Sequence, residues 1–105
     1  MGIVINSNDP ETVWNAFRFG TTSLPMEHGV AVFLLGKGVE APNIADVAFN
    51  VGEQMELFSE NGGKIFSCGT CLKIRGMQGN EMCPVSTMHD LLHIVEESDK
   101  MLVFG

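Results

Sequence analysis

Apolar residues in this chain fall into short unbroken runs separated by longer segments of mixed pattern. Gly2-Ile3-Val4-Ile5-Asn6-Ser7 is continuous and β-branched, which predicts a first strand buried on both faces. Asn8-Asp9-Pro10-Glu11 is a helix start: Asp9 can cap, Pro10 suits the first helical position, and Glu11 complements the dipole. Val13, Trp14 and Phe17 then share one face of a helix expected to run to about Ser23, limited by Pro25. Val30-Ala31-Val32-Phe33-Leu34-Leu35 is apolar throughout, as a central parallel strand should be. After the loop Gly36-Lys37-Gly38-Val39-Glu40, Pro42 and Asn43 lead into a second helix. Its predicted stripe is Ile44, Val47, Ala48, Val51, Met55 and Phe58, closed by Asn61-Gly62-Gly63.

Lys64 to Phe66 is the third strand, and a short helix from Thr70 to about Ile74 follows, closed by Gly76. Met82-Cys83-Pro84-Val85 reads equally as a very short strand or an extended connection. Thr87-Met88-His89-Asp90 is a capping box with Asp in place of Glu, opening a last helix with Met88, Leu91, Leu92 and Val95 as its buried stripe. Met101-Leu102-Val103-Phe104 is the final strand. Strands alternating with helices predict an α/β fold: a mainly parallel sheet of four or five strands with helices on both faces, forming a single domain over residues 1–105. In such sheets a site lies outside the carboxyl ends of the strands. Three loops meet that description: Asn6 to Asp9, Gly36 to Glu40, and Ser67 to Cys71.

The last of these carries the candidate chemistry. Cys68-Gly69-Thr70-Cys71 sits where a strand hands over to a helix bearing Lys73 and Arg75. Backbone N–H groups at a helix start and nearby cations favour the thiolate, the form that attacks sulfur or binds metal. Arg75, at i+4 from Cys71, is better placed on the helix face than Lys73. Gly69 leaves the backbone beside Cys68 open, whereas Leu72 and Ile74 should draw Cys71 onto the sheet. Cys68 is therefore the expected attacking thiol and Cys71 the resolving one. Cys83 is either a further resolving thiol or a core residue. Together with His89, the three cysteines also supply a Cys3His set that fits zinc. His89 and His93 share a helix face but lack the glutamate of a metalloprotease motif, and His28 precedes a strand; none is assigned a role. Glu40 reads as a solvated carboxylate. Gly36-Lys37-Gly38 matches neither the dinucleotide nor the phosphate-loop pattern, and no cofactor is expected.

The formal charge of −7 argues against nucleic acid, which needs a basic footprint, and no polybasic membrane patch is present. Met1-Gly2-Ile3-Val4-Ile5 has no basic n-region, and Val30 to Leu35 is far too short to span a bilayer, so a cytoplasmic protein is expected. In a reducing cytosol a Cys-x-x-Cys is catalytic or metal-binding more often than a structural disulfide. Phe49 and Leu57, off the main stripe of the second helix, point to a homo-oligomer.

The chain resembles the DsrE/DsrF-like family of small sulfur-relay proteins over nearly its whole length. The resemblance is carried by Val30-Ala31-Val32-Phe33-Leu34-Leu35-Gly36 followed by Gly38-Val39-Glu40, by the strand-end cysteine with a basic residue and Gly76 downstream, and by the closing Ser98-Asp99-Lys100-Met101-Leu102-Val103-Phe104. It implies a flavodoxin-like α/β sandwich assembled into trimers or hexamers, with persulfide sulfur carried on a cysteine after a central strand. Cys68 is the position that matches that cysteine, while Cys71 and Cys83 are additions to the relay pattern. The expected function is that of a small sulfur-transfer or persulfide-carrier protein acting through Cys68 and Cys71 between sulfur-donor and sulfur-acceptor proteins. The rivals are a non-catalytic oligomeric binding protein with a cysteine zinc site, and a thiol-disulfide oxidoreductase.

Overall fold

A computed structural model describes residues 1–105. Five strands form one fully parallel sheet: β1 (Gly2–Ile5), β2 (Ala31–Leu34), β3 (Lys64–Cys68), β4 (Val85–Ser86) and β5 (Met101–Phe104). Their spatial order is β4-β3-β2-β1-β5. The register pairs Ile3 with Val32 and Leu102, and Val32 with Ile65, so paired residues of neighbouring strands share a face.

Helices α1 (Pro10–Ser23) and α2 (Val51–Glu60) cover the face that carries Ile3 and Ile5. Val13, Ala16 and Phe17 of α1 and Val51, Met55 and Phe58 of α2 are buried there, with the Phe17 and Phe58 rings 5.7 Å apart in an edge-on contact. α1 begins as its sequence predicts: the Asp9 carboxylate accepts the Thr12 N–H at 2.9 Å, and Pro10 opens the helix. Helix α4 (Met88–Glu97) lies on the opposite face, with Ile94 next to Gly2 and Met101. Its predicted capping box is present in both directions between Thr87 and Asp90. The six-residue α3 (Gly69–Ile74) continues directly from β3.

Three elements differ from their sequence expectations. The second helix does not run from Pro42: residues Gly36–Asn43 form a 3₁₀ segment, and α2 starts only at Val51. The Asp46 carboxylate accepts the N–H groups of Ala48 and Phe49, offering the backbone a turn in place of a helix, and Asn50 then caps α2. Val47 is consequently fully exposed, and Phe49 leaves the helix to pack edge-on against Trp14. The stripe predicted for α4 is also corrected: Leu91 is half-buried, but Met88, Leu92 and Val95 face outward, and the residue that reaches the core is Ile94. Of the ambiguous segment Met82–Val85 only Val85 enters a strand, the two-residue β4 that it forms with Ser86, and Cys68 proves to be the last residue of β3.

The loop after β2 is held close over the end of β1. The Leu35 N–H donates to the Ile5 carbonyl at 3.0 Å, and a Cβ built on Gly38 would run into that same carbonyl oxygen. Only glycine permits this approach. Gly38→Ala is expected to lower stability by about 2 kcal/mol, the scale of overpacking in a closed site. Chemical denaturation checks this, and a midpoint equal to the wild-type value would contradict the close approach.

Candidate functional site

Three segments leave the carboxyl edge of the sheet side by side, at residues 6–9 after β1, 36–40 after β2 and 69–75 after β3. Cross-links between them are specific. Cys68 closes β3 and also caps α3, its Sγ accepting the Cys71 N–H at 3.4 Å. Its side chain is buried, at 3 % exposure. Burial, and then the hydrogen bond with the Cys71 side chain, push the Cys68 thiol above its ordinary value of 9.0.

Cys71 lies in the first turn of α3 and is half-buried. Its Sγ accepts the backbone N–H of Gly36 at 3.2 Å, across a separation of 35 residues. Gly36 has φ +55°, and a Cβ there would collide with the Asn6 Oδ1. The left-handed turn that aims this N–H at sulfur therefore requires glycine. A fixed backbone donor on sulfur needs no reorganisation when negative charge develops there.

A second bridge ties the same two segments. Arg75 Nε donates to Glu40 Oε2 at 2.8 Å, and Arg75 Nη1 donates to the Cys71 carbonyl at 3.1 Å. The other carboxylate oxygen of Glu40 accepts from Asn8 Nδ2 at 3.3 Å. The Arg75 hydrogen bond, and after it that of Asn8, hold the Glu40 carboxyl below its ordinary value. A cleft of about 590 Å³ opens beside this pair, lined by Asn8, Ile44 and Met77 among others.

Not every expected residue joins the cluster. Cys68 and Cys71 come together, but the expected order of access is reversed: Cys68 is buried as the last residue of β3, while Cys71 is only partly buried on a helix whose Ile74 is 75 % exposed. Glu40, expected as a solvated carboxylate, is ion-paired to Arg75. Arg75 reaches the Cys71 backbone and not its sulfur; Lys73 is exposed and lines a separate cleft with Gly69 and Gly76. Cys83 is buried at 1 % exposure, and burial pushes its thiol up to about 11. No three His, Cys, Asp or Glu side chains converge where they could hold a metal ion, so the Cys3His set is not assembled; His89 lies exposed on α4. Gly36 is the participant that sequence reasoning passed over. Its signal was present as a glycine at a strand end facing the cysteine loop, but its contribution is a backbone N–H with no side-chain signature.

The family model described as "DsrE/DsrF-like family" matches residues 1–104. Uncharacterized proteins of Methanopyrus kandleri and Methanocaldococcus jannaschii are each 33 % identical over 100 residues, covering 90 % of this chain and 83 % and 88 % of theirs. Among solved structures, the ychN protein from E. coli superposes with a TM-score of 0.83 at 18 % identity, covering 98 % of this chain and 97 % of that one. A conserved protein of unknown function from Bacteroides thetaiotaomicron gives 0.75 at 18 % identity, covering 98 % and 94 %. These likenesses in structure establish the shared fold.

The thiols should separate by reactivity. Iodoacetamide at neutral pH is expected to modify Cys71 first, Cys68 more slowly and Cys83 last, as read by peptide mass mapping. Equal rates at Cys68 and Cys71 would contradict the burial difference. The Cys83 shift also has a definite sign: the unfolded chain ionises near 9.0 and the folded chain only near 11. Stability from this residue is therefore complete below pH 9 and is lost as pH rises toward 11. Denaturation at stepped alkaline pH should show that fall, with a smaller slope in Cys83→Ala.

Proposed function

This chain belongs to the DsrE/DsrF-like family, and we propose that it is a sulfur-transfer or persulfide-carrier protein in which Cys71 takes the sulfur and Cys68 stands behind it. The observation that carries this reading is Cys71, only partly buried, with its Sγ held under the Gly36 N–H and beside a second, buried thiol. The Cys71 thiolate attacks the outer sulfur of a donor persulfide. A new S–S bond forms on Cys71, the donor S–S bond breaks, and the donor leaves as its thiolate. Transfer onward is the same exchange, with an acceptor thiolate attacking the outer sulfur and Cys71 leaving. Neither step changes the net oxidation state, so no cofactor is required. The partners are sulfur-donor and sulfur-acceptor proteins, and a reducing cytosol is the compartment that suits free thiols.

Cys68 decides what is lost on the way. If its thiolate attacked Cys71 Sγ, a Cys68–Cys71 disulfide would form and hydrosulfide would leave. Its raised pKa keeps it a thiol at neutral pH and so favours retention of the cargo. As pH rises and Cys68 ionises, hydrosulfide release increases.

The same reading includes self-association, with a trimer or hexamer favoured by the family. Met88, Leu92 and Val95 form an outward apolar face on α4, and Val103 is 68 % exposed on the edge strand β5 of the same sheet face. A second copy of this chain is the occupant favoured here, since an unpaired edge strand and an uncovered helix face both invite pairing with another chain, and closed symmetric assembly covers them in every copy.

Site-resolved mass spectrometry after incubation with a persulfide donor should find a sulfur adduct on Cys71, absent in Cys71→Ser and retained in Cys68→Ser. Loading that survives Cys71→Ser would overturn the assignment, and a Cys68–Cys71 disulfide with no adduct at any pH would favour the oxidoreductase reading. Hydrosulfide released from loaded protein should increase with pH in wild type and stay flat in Cys68→Ser. Sedimentation should show an oligomer at micromolar concentration that Leu92→Glu dissociates; a monomeric wild type would refute assembly.

A further inference from the structure

Helix α3 has six residues, too few to hold a helical conformation or a fixed position by its own hydrogen bonds. Its placement must come from tertiary contacts. Leu72 anchors one side of it in the core, and the Cys68 cap ties its first turn to the end of β3. Beyond these, α3 is tied to the 3₁₀ segment Gly36–Asn43 alongside it by two rungs. The first is Gly36 N–H to Cys71 Sγ, and the second is Arg75 to Glu40, four residues further along each segment and spanning the same separation of 35 residues.

The rungs differ in strength. An N–H to sulfur contact is weak, whereas a guanidinium–carboxylate hydrogen bond at 2.8 Å is charge-assisted. The guanidinium of the second rung also reaches back to the Cys71 carbonyl at 3.1 Å, so it grips the residue whose sulfur makes the first rung. On the other side, the second oxygen of Glu40 is held by Asn8, which fixes the carboxylate against the loop after β1. One carboxylate therefore joins all three loops at this edge.

We propose that Glu40 is a positioning residue for Cys71: acting through Arg75, it sets the position of α3 so that the Cys71 sulfur stays under the Gly36 N–H. This rests on Cys71 being the working thiol. Glu40 touches no sulfur and takes no part in the exchange. Its effect is geometric, and this separates it from a simple charge effect. Removing a carboxylate near a thiol should, on charge alone, make that thiol more reactive, because a repulsive neighbour is gone and Arg75 is freed. Removing a positioning group should make it less reactive.

The test compares Glu40→Ala and Glu40→Gln, which remove the same charge. Gln keeps an amide oxygen that can accept from Arg75 Nε; Ala does not. The rate of Cys71 alkylation by iodoacetamide at neutral pH is expected to fall about fivefold in Glu40→Ala, the scale of a partly exposed ion pair. Glu40→Gln should lie closer to wild type. Hydrogen exchange at the Gly36 amide should quicken in Glu40→Ala, while the melting temperature stays within a few degrees. Arg75→Lys, which keeps the cation but loses the fork that reaches both Glu40 and the Cys71 carbonyl, should also slow alkylation. Alkylation of Glu40→Ala at or above the wild-type rate would overturn the proposal, as would equal rates in the Ala and Gln variants, or slower alkylation with unchanged Gly36 exchange. The sulfur-carrier reading is judged separately by sulfur loading of the wild-type protein: failure there leaves these alkylation rates to speak for Glu40 alone.

Discussion

The structure of this site depends on how closely the loop after β2 passes over the end of β1. Gly38 meets the Ile5 carbonyl with no room for a side chain, and the Leu35 N–H binds that same carbonyl. This contact turns the chain directly from strand into the 3₁₀ segment, which then lies across the sheet edge instead of rising into solvent. Everything at the site hangs on that course. It brings the Gly36 N–H to the cysteine loop, and it delivers Glu40 to a point between Asn8 and Arg75. The buried parallel sheet supplies the rigid base, since Ile5, Leu34 and Cys68, near the ends of three adjacent strands, are all in the core.

The proposed function rests on a contrast between two neighbouring sulfurs. Cys68 belongs to the strand and is buried with it, and its thiol is pushed up. Cys71 belongs to a short helix that only partly docks, so its sulfur stays within reach of solvent while receiving a fixed donor. One thiol is reachable and one is withheld, three residues apart. The zinc alternative has no assembled ligand set here: no three His, Cys, Asp or Glu side chains converge, and His89 is exposed on α4.

Much of the fold was legible from residue pattern. The continuous runs at Ile3–Ile5 and Val32–Leu34 gave buried parallel strands, and Asp9-Pro10 and Thr87-Asp90 gave two helix starts with their caps. The failures share one cause: periodicity cannot say whether spaced apolar residues belong to one element. Ile44 and Val47 fit the stripe of α2 by number, but Asp46 takes the local N–H groups and breaks the helix between them. In α4 the spacing identified an apolar face, yet its buried residue is Ile94, close over Gly2; Leu91 packs beside the core while Met88, Leu92 and Val95 stay outside. At the site, the cysteine pair was readable from spacing. The order of access was not, since it depends on β3 running on to Cys68 and burying it, and on Ile74 staying out.

The central claim is that sulfur is carried on Cys71 under the Gly36 N–H. Its most direct measurement is the amide spectrum of isotopically labelled protein during titration with a persulfide donor. The account predicts that the Gly36 amide resonance moves among the most strongly of all as sulfur is loaded, with Cys71 and its α3 neighbours, and returns when an acceptor thiol removes the cargo. Loaded protein whose Gly36 resonance stays in place while resonances around Cys83 move would contradict it.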